Sequence, residues 1–148
     1  MNLDMLDRLS DYELQGKISS ECVMERNRDR FRRLGADAVI RPIRAYPELM
    51  VRAMAAPGTE AILEDLFDYA GNHPRRYDVE FTRKRWGALA SNLLQQGLGT
   101  PLGYLDRERH IITNPPPDAE VSGRAIFIMV YQSAAYEPDR VAACIDAV

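Results

Sequence analysis

Residues 18–42 read ISSECVMERNRDRFRRLGADAVIRP, and this stretch decides the fold that we expect. Ile18–Val23 is a run of apolar and small residues that predicts a short strand. Glu25–Leu34 predicts a highly charged helix, which ends at Gly35 because glycine readily adopts the left-handed conformation of a helix C-terminus. Ala38–Ile40 is a second strand, and the proline two residues later stops it. A strand, a helix and a strand in this order predict a parallel βαβ unit.

Four arginines of this region form a candidate anion site. Two of them flank the proline at the carboxyl end of the second strand, the edge of open α/β sheets where ligands usually bind. The other two lie four residues apart on the charged helix and share its outer face. The four are Arg26, Arg30, Arg41 and Arg44. One interpretation is a site for a nucleotide or another anion. The alternative is a solvated charged face on the helix, partly neutralised by Asp29 and Glu25, with Arg41 and Arg44 paired to Glu48 or Asp37.

Glu21 is the candidate metal ligand. It stands at the carboxyl end of the first strand, where a carboxylate needs a charged partner or a cation. Pairing with a nearby arginine is the simpler alternative. Cys22 has no identifiable general base, and His73 and His110 have no cysteine or histidine at metal-ligand spacing. The sequence therefore indicates no catalytic residue, and we expect a protein that is not an enzyme.

Composition restricts the class of protein. The chain has 148 residues and a formal net charge of −3, and this acidic balance argues against general binding of nucleic acid. Its longest apolar run, Ala125–Tyr131, is far shorter than the roughly 20 residues that span a bilayer. The amino terminus lacks the apolar segment of a signal peptide. Two distant cysteines fit reduced thiols, so we expect a cytoplasmic location.

The remaining chain predicts two parts joined by a linker. Residues 46–69 carry a helical pattern interrupted at Pro57–Gly58, which predicts two helices joined by a kink. Residues 71–76 are rich in helix breakers and charge and predict the linker. The pattern that follows is a strand, an amphipathic helix, a hairpin, a last apolar strand and a final helix. We therefore expect an α/β part in residues 1–70 and a small α+β part in residues 77–148.

Two ordered motifs resemble the RCK family, the regulator-of-potassium-conductance domains that are also called KTN or TrkA-type domains. In this family a strand that ends in a triplet like Ser20-Glu21-Cys22 leads through a charged helix to a segment like Gly35-Ala36-Asp37-Ala38-Val39-Ile40-x-Pro42. The second match is Ile111-Ile112-Thr113-Asn114-Pro115-Pro116-Pro117-Asp118, followed by Gly123 and the apolar strand Ala125–Val130. The motifs and the helical segment between them span residues 15–132.

The resemblance implies a non-enzymatic regulatory domain of a potassium channel or transporter. It implies a partial Rossmann-like parallel sheet with a helical crossover arm in residues 1–70. Residues 77–148 then correspond to the carboxyl-terminal, TrkA-C-like subdomain of the family. The resemblance also implies a homodimer or higher oligomer that reaches the membrane through a pore partner. A ligand would shift such a dimer between two shapes and so bias the gate.

The sequence departs from the family pattern in two places. The glycine-rich loop that holds a nucleotide in such domains has no counterpart here. The resemblance therefore implies no certain cofactor and leaves a divalent cation or a nucleotide as alternatives. In calcium-gated members a glutamate at the position of Glu21 is a cation ligand, with a second carboxylate two residues on. In this chain Val23 takes that second place.

Two other functions stay open beside gating. One is a small nucleotide- or anion-binding protein or enzyme that uses the four arginines. The other is a purely structural assembly module, which would self-associate without responding to any ligand.

Overall fold

The computed structural model describes residues 16–68, 71–131 and 136–148, and for residues 42–46 the backbone alone. The chain divides into two compact units, and the boundary falls between Glu60 and Ala61. Each unit has a buried apolar core of its own.

The first unit is built on the predicted βαβ segment. Strand β1 (Ser19–Glu21) pairs in parallel with strand β2 (Ala38–Ile40). A 3-10 turn (Glu25–Asn27) and helix α1 (Arg28–Arg33) connect the two strands. The prediction of a parallel strand–helix–strand unit is therefore confirmed.

The turn after α1 ties this unit together. Gly35 has a φ of +94°, the left-handed backbone that the sequence predicts for it. The Asp37 carboxylate accepts a hydrogen bond from the Ile18 N–H at 2.7 Å, and the Asp37 N–H donates to the Ile18 carbonyl at 2.8 Å. The helix and strands bury a small core that consists of Cys22, Phe31, Ala36 and Val39. The turn thus fastens the start of β1 beside the start of β2.

Two helices follow β2. Helix α2 (Pro42–Ala55) starts at its first proline rather than near residue 46, so that Pro47 lies inside the helix. A proline fits the first helical position because the missing N–H has no helical acceptor there. Helix α3 (Thr59–Phe67) begins after the predicted interruption at Pro57–Gly58. The prediction of two helices with a break between them is confirmed.

The described residues of the second unit include six strands in two antiparallel sheets. In chain order they are β3 (His73–Tyr77), β4 (Phe81–Arg85), β5 (Thr100–Leu105), β6 (Ile111–Thr113), β7 (Glu120–Gly123) and β8 (Ala125–Val130). Four of them form one sheet in the order β3, β8, β5, β6, and β4 pairs with β7. The predicted hairpin is the β5–β6 pair, and the predicted last strand is β8.

Helices α4 (Trp86–Gln95) and α5 (Pro138–Asp146) share one core with these strands. The most deeply buried side chains come from both kinds of element, with Leu89, Ile126 and Ile145 fully enclosed. Each Å² of apolar surface that is buried contributes about 25 cal/mol. Burial of these side chains is therefore the main favourable term in the folding of the unit.

The predicted linker is wrong for most of its length, because β3 begins at His73 and all five of its residues pair with residues 126–130 of β8. Residues 71–76 resemble a surface loop since they contain a proline and two arginines. An edge strand tolerates these residues because only one of its sides carries ladder hydrogen bonds. The strand predicted over residues 77–81 is in fact the end of β3 and the start of β4, and the division between units lies earlier, within α3.

The fold class is α/β, as predicted. The first unit combines a parallel strand pair with helices, and the second combines antiparallel sheets with two helices. Within the described ranges, no helix is long and apolar enough to cross a membrane.

Candidate functional site

The carboxyl ends of β1 and β2 carry the residues that the sequence indicates for a ligand site. Glu21 is the last residue of β1 and is exposed, and Arg41 directly follows β2. The Cys22 N–H donates to the Ile40 carbonyl at 2.8 Å, which keeps the two strand ends together. Parallel pairing therefore places Glu21 and Arg41 at the same edge of the strand pair.

Arg41 is held by an ion pair. Its guanidinium NH1 donates to Glu25 Oε2, and its NH2 donates to the Val23 carbonyl at 3.4 Å. Glu25 Oε1 also lies 3.6 Å from NH1 of Arg28. One carboxylate thus lies between two guanidinium groups, whose buried Nε atoms have no hydrogen-bond partner among the described residues. An anionic ligand would have to compete with Glu25 for these arginines.

The other arginines of the predicted cluster do not take part in this ion pair. Arg26 and Arg30 are exposed, and neither belongs to the contacts that hold Arg41. Arg44 lies in the first turn of α2, and its side chain is outside the described part of the structure. The sequence analysis missed Arg28, although its spacing of three residues from Glu25 is typical of a helical ion pair.

The residue two positions after Glu21 offers no carboxylate to a cation. Two residues on, Val23 is 60% exposed and offers only its main-chain carbonyl, which already accepts from Arg41. Within the described residues, the single group of three side chains that could hold a metal ion lies in the second unit. The role of Glu21 as a cation ligand stays a prediction.

That group consists of Asp106, Glu108 and His110 in the turn between β5 and β6. Their ligand atoms all lie within 4.8 Å of one another, and His110 Nδ1 is 3.4 Å from Asp106 Oδ2 and 3.6 Å from Glu108 Oε2. The other Asp106 oxygen accepts the His110 N–H at 2.7 Å. The sequence analysis missed the group because it looked for cysteine and histidine neighbours only. The sequence did contain a signal for this group, because its three potential ligands stand at alternate positions of one tight turn.

Two buried titratable groups lie in the core of the second unit. Burial raises the pKa of the Tyr77 hydroxyl, and the Arg75 guanidinium above its ring partly offsets that rise. Burial also raises the pKa of the Cys144 thiol, with a smaller opposite effect from Arg140. A thiol with a raised pKa stays protonated near neutral pH and is a poor nucleophile.

Comparison with known proteins yields no sequence family, since no family model and no curated protein matches the chain. Solved structures of one channel are similar to it. The chain is 13% identical to the "GsuK Channel" at a TM-score of 0.37, and 17% identical to the "GsuK channel bound to NAD" at 0.39. It is 18% identical to the "Crystal Structure of the GsuK RCK domain" at 0.35.

Each match covers 99% of this chain but only 26% to 31% of the matched chain. The chain therefore spans less than a third of the length of these neighbours. At such low identities and TM-scores, the fold assignment rests on the strand pairing described above and not on these matches.

Proposed function

We propose that this chain is a non-enzymatic regulatory module of a potassium channel or transporter and that it works as a dimer. The observation that carries the proposal is the closing turn of the βαβ unit. Each residue of the RCK-like segment Gly35-Ala36-Asp37 has a physical role there. Gly35 adopts the left-handed backbone, Ala36 buries its methyl group, and Asp37 makes the hydrogen bonds to Ile18. The motif thus coincides with the residues on which this strand–helix–strand unit depends.

The second motif supports the proposal in the same way. The Asn114 N–H donates to the Leu102 carbonyl at 2.8 Å, and Pro115 is buried. At Gly123 a Cβ atom would lie 2.6 Å from the Phe81 ring, so only glycine fits. In this proposal residues 1–70 correspond to the later half of a Rossmann-like subdomain with its crossover helices. Residues 77–148 correspond to the TrkA-C-like subdomain.

Exposed apolar side chains on the crossover helices support self-association. On α2, Met50, Val51 and Met54 form one stripe and are 55%, 66% and 82% exposed. On α3, Ile62 and Phe67 are 66% and 80% exposed, although the sequence predicts an inward face for both. Covering one such side chain stabilises a complex by about 1.5–3 kcal/mol. We assign these helices to the dimer contact of the module.

In this proposal the module lies in the cytoplasm and reaches the membrane only through its pore partner. Ligand binding shifts the dimer between two shapes, and the different contacts that each shape makes with the pore bias its gate. A divalent cation near Glu21 and a nucleotide at the arginines are the ligands that the sequence leaves open.

Potassium flux in cells tests the proposal. Deletion of the gene for this chain is expected to change rubidium uptake and growth of the cells at low potassium. Expression of the wild-type chain restores both. The Met54→Asp variant is expected to fail, whereas Arg52→Gln on the other side of α2 restores uptake. Unchanged uptake after removal of the chain contradicts the proposed function.

The rival function, binding of a nucleotide or another anion at the arginines, has one observation in its favour: two guanidinium groups share a single carboxylate at Glu25. Calorimetry with nucleotides separates it from gating. Micromolar nucleotide binding that disappears in Arg41→Ala favours the rival function. If calorimetry shows no heat of nucleotide binding, the rival function is excluded.

A further inference from the structure

We propose that the second unit contains a separate site that binds a phosphate group. A recess of about 230 Å³ opens on this unit and is lined by Glu80, Arg107, Gly123 and Arg124. Its two arginines and its glutamate come from three different connections: the loops before β4 and after β7, and the turn of the β5–β6 hairpin. The site goes beyond the proposed function, since it uses none of the residues at the ends of β1 and β2.

Arg107 supplies the first cation. Its guanidinium NH2 donates to Thr82 Oγ1 at 2.8 Å, which fixes the side chain over the recess. Among the described residues it makes no ion pair, and Thr82 is a neutral partner. Four of the five guanidinium N–H donors therefore stay available for an acceptor.

Arg124 supplies the second cation. Its main-chain N–H donates to the Leu105 carbonyl at 2.8 Å, which fixes the start of the side chain. Its Nε lies 3.8 Å from Glu80 Oε1, near the outer limit of an ion pair, and the Glu80 side chain is 80% exposed. An exposed pair of this length contributes little, so an anion can compete with Glu80 for Arg124.

The floor of the recess is rigid main chain. A Cβ atom on Gly123 would lie 2.6 Å from Phe81 Cζ and 2.9 Å from the Leu105 carbonyl oxygen. Phe81 is 3% exposed and belongs to the core of the unit. Only glycine therefore packs against the core at this position of the lining.

A phosphate group suits this arrangement. Guanidinium groups donate parallel N–H bonds to pairs of phosphate oxygens, and a phosphate group has enough oxygens to accept from two arginines at once. The recess is smaller than the pockets of drug-sized ligands. We therefore expect either inorganic phosphate or the phosphoryl group of a small metabolite.

Calorimetry at low ionic strength tests the site, with inorganic phosphate and glycerol phosphate as the two probes. We expect saturable binding of at least one probe and shifts of the Gly123 and Arg124 amide resonances. The Arg107→Gln variant should bind about tenfold more weakly, since it loses a charge-assisted contact. Glu80→Gln should bind more tightly, because the competing carboxylate is removed.

Two matched variants control for the net charge of the unit. Arg85→Gln and Glu120→Gln change charge by the same amounts on the β4–β7 pair, and neither side chain lines the recess. Both should bind like the wild type. Equal weakening by Arg85→Gln and Arg107→Gln, or no saturable binding of either probe, overturns the proposal. Tighter binding of glycerol phosphate identifies a carried phosphoryl group, and tighter binding of inorganic phosphate identifies the free anion.

Phosphate binding and the proposed function fail separately. The first is measured on the purified chain without potassium, and the second is measured as rubidium uptake in cells. If the purified chain binds no phosphate, the proposed regulation of potassium flux is not affected. If rubidium uptake does not change, the phosphate site is not affected.

Discussion

Asp37 and Gly35 hold the first unit together at a single turn. The Asp37 carboxylate and amide both bond to Ile18, which joins the two strands at their starts. Gly35 reverses the chain after α1 with a φ of +94°. Because the core that the structure describes in this unit is small, with four buried apolar residues, we expect its stability to depend strongly on these two positions.

The Gly35→Ala variant should destabilise the first unit by about 1 kcal/mol, because a Cβ atom disfavours the left-handed conformation. Faster amide hydrogen exchange at Cys22 and Ala36 is the measurement, since both N–H groups are hydrogen-bonded inside this unit. Gly16→Ala is the matched control, as that glycine has open space around it and no left-handed backbone. Equal exchange rates in the two variants would refute the role of Gly35.

Tyr77 and Cys144 should make the second unit less stable at alkaline pH. Burial raises both pKa values above their ordinary values of 10.0 and 9.0, so the unfolded chain loses these protons first. Their contribution is therefore complete below pH 9 and declines as the pH rises through the folded-state pKa values. Urea unfolding followed by the fluorescence of Trp86 measures this decline.

The Tyr77→Phe variant should show a smaller loss of unfolding free energy between pH 9 and pH 11. Tyr131→Phe, at a tyrosine that is 69% exposed, serves as the control. If the two variants share the pH dependence of the wild type, burial of Tyr77 is not its cause.

Among the elements, α4 shows how a distant turn can cap a helix. No side chain caps its amino terminus. Instead the Trp86 N–H donates to the Ala119 carbonyl at 2.9 Å, and the Gly87 N–H donates to the Pro117 carbonyl at 2.8 Å. The proline-rich turn of the second RCK-like motif thus satisfies two amides that have no acceptor within the helix. Its prolines lack N–H donors, but their carbonyl groups remain available.

Strand β4 contains an irregularity at which substitution by glycine should change the stability of the second unit. Its register with β7 shifts between Phe81 and Lys84, and Arg83 there has a φ of +52°. Arg83→Gly should stabilise the second unit by about 0.5–1 kcal/mol, since glycine removes the cost of the left-handed backbone. Thermal unfolding followed by near-UV circular dichroism gives the measurement.

Glu120→Gly is the control of opposite sign. Glu120 lies on the partner strand β7 and has no left-handed backbone, so glycine there adds flexibility to the unfolded chain and should lower the midpoint temperature. A lower midpoint in Arg83→Gly as well would contradict the strain at Arg83.

For the whole molecule, the exposed stripe on α2 predicts association. The Met54→Asp variant should weaken dimerisation at least about tenfold, because the new carboxylate would have to be buried in an apolar contact. Sedimentation equilibrium over a range of concentrations measures this. Arg52→Gln lies on the opposite side of α2 and should leave the dimer unchanged. A wild-type chain that stays monomeric at high concentration contradicts the assignment of this stripe.

Local pattern was enough to predict the βαβ unit, the break before α3, the β5–β6 hairpin and the last strand. Apolar spacing, helix-ending glycine and strand-ending proline act within a few residues, so they can be read from the chain directly. The same rules misplaced β3 as a linker, because Pro74, Arg75 and Arg76 are compatible with an edge strand as well as with a loop. Whether these residues form a strand or a loop depends on whether β8 lies beside them and pairs with them.

The sequence by itself determined the parallel strand pair and the resemblance of its closing turn to RCK domains. Only the tertiary structure decided which charges meet. It paired Glu25 with both Arg41 and Arg28, and it brought Glu80, Arg107 and Arg124 around one recess. Contacts between residues far apart in the chain follow from strand pairing and core packing, which no local spacing encodes.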